Sequence, residues 1–159
     1  MSLSDEIKAK ALQLGFDACG IAKAELLADD ARTLQTWLNK GYHANMSYLE
    51  NHFDKRTNPQ LLIHGAQSVI VVLLNYFPAQ TQSESAPQIA KYAYGKDYHE
   101  VIRAKLKTFL AEIKLTIGEV NGRGFVDSAP VLERSWAQRT GLGWIGKNGN
   151  LINKQSGSF

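Results

Sequence analysis

The chain reads as an α/β (α+β) sandwich, a small central mixed sheet with helices on both faces. Three observations predict this. Ser68 to Tyr76 (SVIVVLLNY) is a nearly continuous apolar run of strand length, so it should be central and covered on both faces. Apolar residues recur at helical spacing in 4–14, 25–40 and 97–117. Strands and helices mix without the regular alternation of a doubly wound sheet. With 159 residues, 44% hydrophobic and 21% charged, the chain has material for one folded domain spanning 1–159, not a disordered one.

The elements follow in order. Residues 4–14 form a helix that Ser4 can cap, with Asp5 and Glu6 in its first turn, Ile7, Ala11 and Leu14 on one face, and Gly15 as the stop. Phe16 to Ala22 is a short strand, and Cys19 in it reads as a small buried hydrophobe. Residues 25–40 form a second helix with Leu27, Ala31, Leu34 and Leu38 inward and Gly41 beyond it. Asn45 can cap a short helix through His52. Arg56 then lies in a polar turn before Asn58-Pro59. His43 and His52 do not have the spacing of a metal pair on one helical face and read as surface histidines.

After the apolar strand, Pro78 to Gln88 is a polar, low-complexity loop. Asp97 and Glu100 have capping-box spacing for a helix to about Ile117, with Val101, Leu106, Phe109, Leu110 and Ile113 inward. Lys96, Arg103, Lys105, Lys107 and Lys114 along it read as a solvated face, with a phosphate-tracking surface as the other reading. Gly124 to Asp127 is a strand, and Pro130 opens a helix that Gly141 ends.

Composition excludes several classes. Cys19 is the only cysteine, which rules out an internal disulfide and a cysteine-built zinc or iron–sulfur site within these residues. A reducing cytoplasm is the expected compartment. The charged, amphipathic N-terminus is unlike a signal peptide, and the run Val69 to Leu74 is far too short to span a membrane. A net charge of +3 suits an anionic partner, but also simple solubility.

Candidate chemistry concentrates late in the chain. Asp127, at the end of an apolar segment, could be desolvated and serve as a proton donor, or could cap the helix after it. Gly141-Leu-Gly-Trp-Ile-Gly-Lys-Asn-Gly149 surrounds Lys147 with glycines that could let backbone N–H groups converge on a ligand. It is not a P-loop, because Asn148 follows Lys147. A dinucleotide fingerprint is also wrong, because a helix rather than a strand precedes Gly141. Trp144 and Ile145 would add an apolar wall; the plainer alternative is a tight turn with a core tryptophan. Tyr92, Tyr94, Tyr98 and His99 form an aromatic cluster that could stack, hydrogen-bond or move a proton, and Arg56 could bind an anion or amide.

Together, Tyr94-Gly-Lys-Asp-Tyr-His99, Phe125-Val-Asp-Ser-Ala-Pro-Val-Leu-Glu-Arg134, Gly141-Leu-Gly-Trp-Ile-Gly-Lys-Asn148 and Gly157-Ser-Phe159 resemble the N-terminal half of epoxyqueuosine reductase. Met46-Ser-Tyr-Leu49, Arg56 and Pro59 agree. The resemblance implies a nitroreductase-like, cobalamin-processing-like fold and an enzyme that removes the epoxide oxygen from epoxyqueuosine in tRNA. It implies cobalamin as cofactor, two [4Fe–4S] clusters in a following half, an electron donor and tRNA as partners. It makes Asp127 the proton donor, and places Arg56, Tyr98, His99, Gly146, Lys147 and Asn148 toward cofactor and substrate. The role of His99 stays open. No cluster motif is present, so the sequence is expected to be a truncated, corrinoid-binding part that is inactive alone, with Trp144 or Phe159 exposed for association. The rival expectations are a non-catalytic tRNA- or nucleotide-binding module and a flavin-dependent, nitroreductase-like reductase.

Overall fold

A computed structural model describes residues 2–159. Helix α1 (Leu3–Gln13) is followed by β1 (Ala18–Lys23), α2 (Ala28–Asn39), α3 (Phe53–Thr57), β2 (Ser68–Leu73), α4 (Tyr98–Ile117), α5 (Glu133–Arg139), β3 (Trp144–Ile145), β4 (Leu151–Asn153) and β5 (Gly157–Ser158). Instead of one mixed central sheet, the strands form two separate antiparallel sheets, β1–β2 and β3–β4–β5.

The β1–β2 ribbon pairs Ala18 with Leu73 through Lys23 with Ser68. Side chains alternate across it as the pleat requires. Cys19, Ile21, Ile70 and Val72 meet Ile7, Ala11, Phe109 and Ile113 of α1 and α4, with Phe16. Ala18, Val71 and Leu73 meet Ala137 of α5, Leu151 of β4 and Phe159. The apolar run therefore has packing on each side, yet only Leu73 of β2 is fully buried, because β1 is its sole strand partner. Gly20 is required where α5 ends on the ribbon: a Cβ there would lie 2.5 Å from Thr140 Cβ.

The cap of α1 is Ser2, two residues earlier than Ser4. Ser2 accepts from the Asp5 N–H and the Asp5 carboxylate answers the Ser2 N–H, closing a capping box. Its far end is closed from another element: Lys105 Nζ donates to the Leu14 carbonyl at 2.6 Å. Helix α2 has no fully buried residue, so its apolar stripe is only half covered. The segment expected as a helix from Asn45 to His52 is a 3-10 turn, Ser47–Leu49, and His52 takes φ 58 just before α3.

The strand expected at Gly124–Asp127 does not form, since among the described residues no strand pairs with it. Pro130 lies three residues before α5 rather than in its first turn. Trp136 of α5 is 1% exposed and anchors the helix, a burial whose removal costs about 3–5 kcal/mol for such side chains.

Candidate functional site

Two loops meet at the start of α4. Asp97 caps that helix, its Oδ1 accepting the His99 N–H at 2.9 Å. Tyr98 and His99 thereby stand in the first turn, their rings stacked 4.0 Å apart. The other loop, 124–132, is pinned by buried Val126 and turns sharply at Asp127, which adopts φ 49. That left-handed conformation is unfavourable for a residue other than glycine, by about 1–2 kcal/mol. Two hydrogen bonds hold it. Tyr98 donates its phenol to Asp127 Oδ2 at 2.5 Å, and the Asp127 N–H is donated to Glu133 Oε1 at 3.1 Å. The helix-cap reading of Asp127 fails: the N-cap of α5 is Leu132, without a side-chain bond.

His99 sits between two acids. Its Nδ1 is 2.8 Å from Asp97 Oδ1, while Nε2 is 3.8 Å from Asp127 Oδ2, too far for a hydrogen bond. The bond to Asp127 and partial burial push the Tyr98 phenol up to about 12. Its own hydrogen bonds from His99 hold the Asp97 carboxyl below the usual range. Glu133 is raised, first by desolvation and then by the nearby Asp127 charge. Asp127 itself is exposed, so the desolvation expected of it is not supplied by its neighbours.

An open pocket of about 300 Å³ adjoins this cluster, walled by Tyr76, Lys91, Tyr92, Tyr94, Lys96 and Tyr98. Edge-to-face contacts link Tyr98 to Tyr92, Tyr92 to Tyr76, and Tyr76 to Phe159, with centroids 6.1–6.5 Å apart. The aromatic cluster read from 92–99 thus extends to Tyr76 and the end of the chain, which no local pattern indicated. A larger groove of about 610 Å³ lies elsewhere, between α2 and α5.

The other predicted residues are not gathered here. Arg56 lies in α3, not in a turn. Its Nη2 donates to the Tyr48 and Asn51 carbonyls at 3.3 and 3.4 Å, closing its own loop, while its buried Nε has no partner. Gly146, Lys147 and Asn148 form the β3–β4 turn, with no bond to the Asp127 cluster. The glycines there serve the turn. Gly141 takes φ 76 and ends α5 in a Schellman motif, its N–H bonding Gln138 while the Leu142 N–H bonds Ala137. Gly143 backs directly onto the Ile152 carbonyl. Trp144 is 46% exposed, so it is not a core tryptophan. Phe159, expected to be exposed, packs against the Leu73–Ala137–Leu151 cluster.

The basic face of α4 is also reduced, because Lys105 caps α1 and Lys114 pairs with Glu119 at 3.4 Å. Among the described residues no group of three or more His, Cys, Asp or Glu is arranged to hold a metal. None of their helices is long and apolar enough to cross a membrane.

The family model described as "Epoxyqueuosine reductase QueG, DUF1730" matches residues 56–128. The chain is 55% identical, over 98% of its length, to an epoxyqueuosine reductase of Leadbetterella byssophila, covering 52% of that protein. It is 58% identical, over 96% of its length, to one of Cyclobacterium marinum, covering 50%. It spans about half the length of these curated relatives. Among solved structures, an epoxyqueuosine reductase with a tRNA-Tyr epoxyqueuosine-modified stem loop superimposes with a TM-score of 0.84 at 26% identity. The match covers 99% of this chain and 43% of the other. One from Bacillus subtilis, with an aspartate catalytic loop swung out of the active site, gives 0.83 at 25% identity, covering 99% and 42%. Over nearly all of its own length and about half of theirs, the chain is therefore similar to the epoxyqueuosine reductases.

Proposed function

We propose that these residues form the corrinoid- and substrate-facing part of an epoxyqueuosine reductase, with Asp127 as proton donor. The observation that carries this is the placement of Asp127. A strained, hydrogen-bonded loop holds a carboxylate on the phenol of Tyr98, and that tyrosine walls the neighbouring pocket. Strain of this kind marks sites where geometry is maintained for use. Support comes from relatives named for the activity, and from a neighbour bearing a catalytic aspartate loop.

Reduction of an epoxide to an alkene consumes two electrons and two protons and releases the oxygen as water. Asp127 would give one proton to the departing oxygen as its carbon–oxygen bond breaks. Tyr98 would fix the direction of that carboxyl through its phenol bond. His99, oriented by Asp97, lies close enough to return a proton to Asp127 through one water.

Cobalamin, when bound, would supply low-valent cobalt as the electron source for the reduction. The residues fit one wall of such a site. Tyr76 and Tyr92 offer exposed aromatic surface, and Lys91 and Lys96 offer donors for amide carbonyls. A pocket of about 300 Å³ is at the small end for a drug-sized ligand and cannot enclose a macrocycle. Trp144, Ile145 and the Gly146–Asn148 turn are further candidate contacts, although none of them lines this pocket and Ile145 faces the groove between α2 and α5. Arg56, engaged with its own loop, is the weakest of the expected contacts.

Two [4Fe–4S] clusters, as part of the proposal, would have to be held by residues outside these 159, since Cys19 is the only thiol. The tRNA substrate, the electron donor, a cytoplasmic location and a likeness to nitroreductase-like and cobalamin-processing folds complete the reading.

Titration with cobalamin, followed by visible absorbance and gel filtration, tests it. Binding should shift the spectrum and carry the corrinoid with the protein; no shift and no retention would sink the cofactor assignment. Asp127→Asn, in the protein joined to the remaining half that its relatives carry, should keep cobalamin but form no queuosine. Full activity in that variant would remove Asp127 from the donor role.

A further inference from the structure

We infer that Glu133 is a positioning residue, a latch that holds Asp127 in the left-handed conformation that aims its carboxyl at Tyr98. The argument starts from an imbalance. Asp127 is exposed, its backbone is strained, and its loop has no strand partner. Such a turn should relax unless bonds over-determine it.

Tyr98 holds only the side chain. The one bond to the strained residue's own N–H comes from Glu133, six positions on. Glu133 is the first residue of α5, and the next turn of that helix buries Trp136 and Ala137. The acceptor is therefore carried on a packed helix, whereas burial fixes the loop only as far as Val126. Two carboxyl groups are also brought close at a cost: the Asp127 charge is among the causes that raise Glu133. Ordinary helix capping does not explain this, because a first-turn glutamate stabilises its own helix N-terminus without bonding a backbone N–H six residues earlier in another loop.

The latch is a matter of reach and acceptor, not of charge. Glu133→Gln keeps an oxygen at the same distance. Glu133→Asp keeps the charge and the helix position but withdraws the acceptor by one methylene. Glu133→Ala removes it.

The readout needs neither cofactor nor turnover, so its failure is distinct from failure of the proposed activity. The bond to Asp127 pushes the Tyr98 phenol up to about 12, so its tyrosinate absorbance should be largely missing at pH 11, where ordinary tyrosines are mostly ionised. When the latch opens, Asp127 leaves the phenol and one additional tyrosinate should appear. Tyr98→Phe serves as the assignment control, and circular dichroism at the same pH confirms that each variant is folded. Amide hydrogen exchange at Asp127 near neutral pH gives a second measure.

Glu133→Asp and Glu133→Ala should both gain one tyrosinate and lose protection at the Asp127 amide at least tenfold. Glu133→Gln should match the wild type in both. A purely structural role in α5 would lower the thermal midpoint without moving Tyr98. The inference is overturned if Glu133→Asp keeps wild-type absorbance and protection, or if Glu133→Gln behaves like Glu133→Ala. If Glu133→Ala does not fold, the Asp and Gln pair decides alone.

Discussion

Replacing Gly143 with alanine separates the two readings of the glycine-rich loop. In the ligand-cradle reading, the missing side chain leaves room for a bound group. In the structure, the space is already taken. A Cβ on Gly143 would sit well inside contact distance of the Ile152 carbonyl oxygen and 3.0 Å from its carbon. Both are backbone atoms of β4, which cannot swing away as a side chain does. Ile152 pairs with Trp144, and neighbouring Leu151 is 2% exposed in the core beside Ala137. Relief thus requires parting β3 from β4 or shifting a core residue. Overpacking of this kind costs about 1–3 kcal/mol, and a backbone clash belongs at the upper end.

For a chain of this size, about 3 kcal/mol lowers the melting temperature by roughly 6–12 °C. Gly146→Ala is the matched control. Its Cβ would meet mainly the Asn148 side-chain oxygen at 2.8 Å, which can rotate, so it should cost about 1 kcal/mol or less. Thermal and urea unfolding followed by circular dichroism give both values. If Gly143→Ala falls within about 0.5 kcal/mol of wild type, the turn is not the reason for that glycine, and the packing argument is wrong.

Further outcomes follow from three single residues. Burial pushes the Cys19 thiol up to about 11, so a disulfide reagent at pH 8 should modify it far more slowly than a free thiol. The same shift has a sign for stability. Between pH 9 and 11 the unfolded thiol loses its proton first, so this contribution is full below pH 9 and lost as pH rises toward 11; urea midpoints across that window should fall less in Cys19→Ala. Lys105→Met keeps the stem but removes the donor to the α1 C-terminal carbonyl of Leu14, and should cost about 1 kcal/mol in urea unfolding. Trp136→Ala should cost about 3–5 kcal/mol by the same method, because that ring is 1% exposed.

Much of the secondary structure was legible because it rests on local signals. The inward stripe of α4 ends in buried Phe109 and Ile113, as its spacing required. The alternation of β1 and β2 sends Cys19 and Ile70 to one side and Val71 and Leu73 to the other. What failed depended on partners distant in sequence. Gly124–Asp127 has strand-like residues, but a strand exists only when another backbone pairs with it. Lys105 looked like one of a row of solvated charges, and only the fold brings Leu14 to it, 91 residues away. In the site, Tyr98 and His99 were found from composition, whereas their bond to Asp127 spans 29 residues. Glu133 gave no signal beyond that of a first-turn acid. The Lys147 loop was singled out for its glycines, whose space is used by the turn itself.

The exposure of Asp127 changes how its proposed chemistry must work. Sequence alone suggested an acid desolvated by an apolar strand, but the strand is absent and the carboxylate faces water. The pocket beside it is rimmed by tyrosines and lysines and open on one side. A flat group that extended from Tyr76 and Tyr92 past Tyr98 to its bonded carboxylate would exclude water from Asp127. Desolvation disfavours the charged form of a carboxyl, so the donor would be made by the binding event. The fold's part is then positional. Val126 pins the loop, Tyr98 and Glu133 hold the carboxyl and its backbone, and the aromatic row from Phe159 to Tyr98 sets the floor on which a ligand completes the site. On this reasoning, protonation of Asp127 should follow ligand occupancy. Infrared carboxyl bands compared with and without cobalamin should show a protonated carboxyl gained on binding and absent from Asp127→Asn. The same bands in both states would mean that the ligand does not cover the acid.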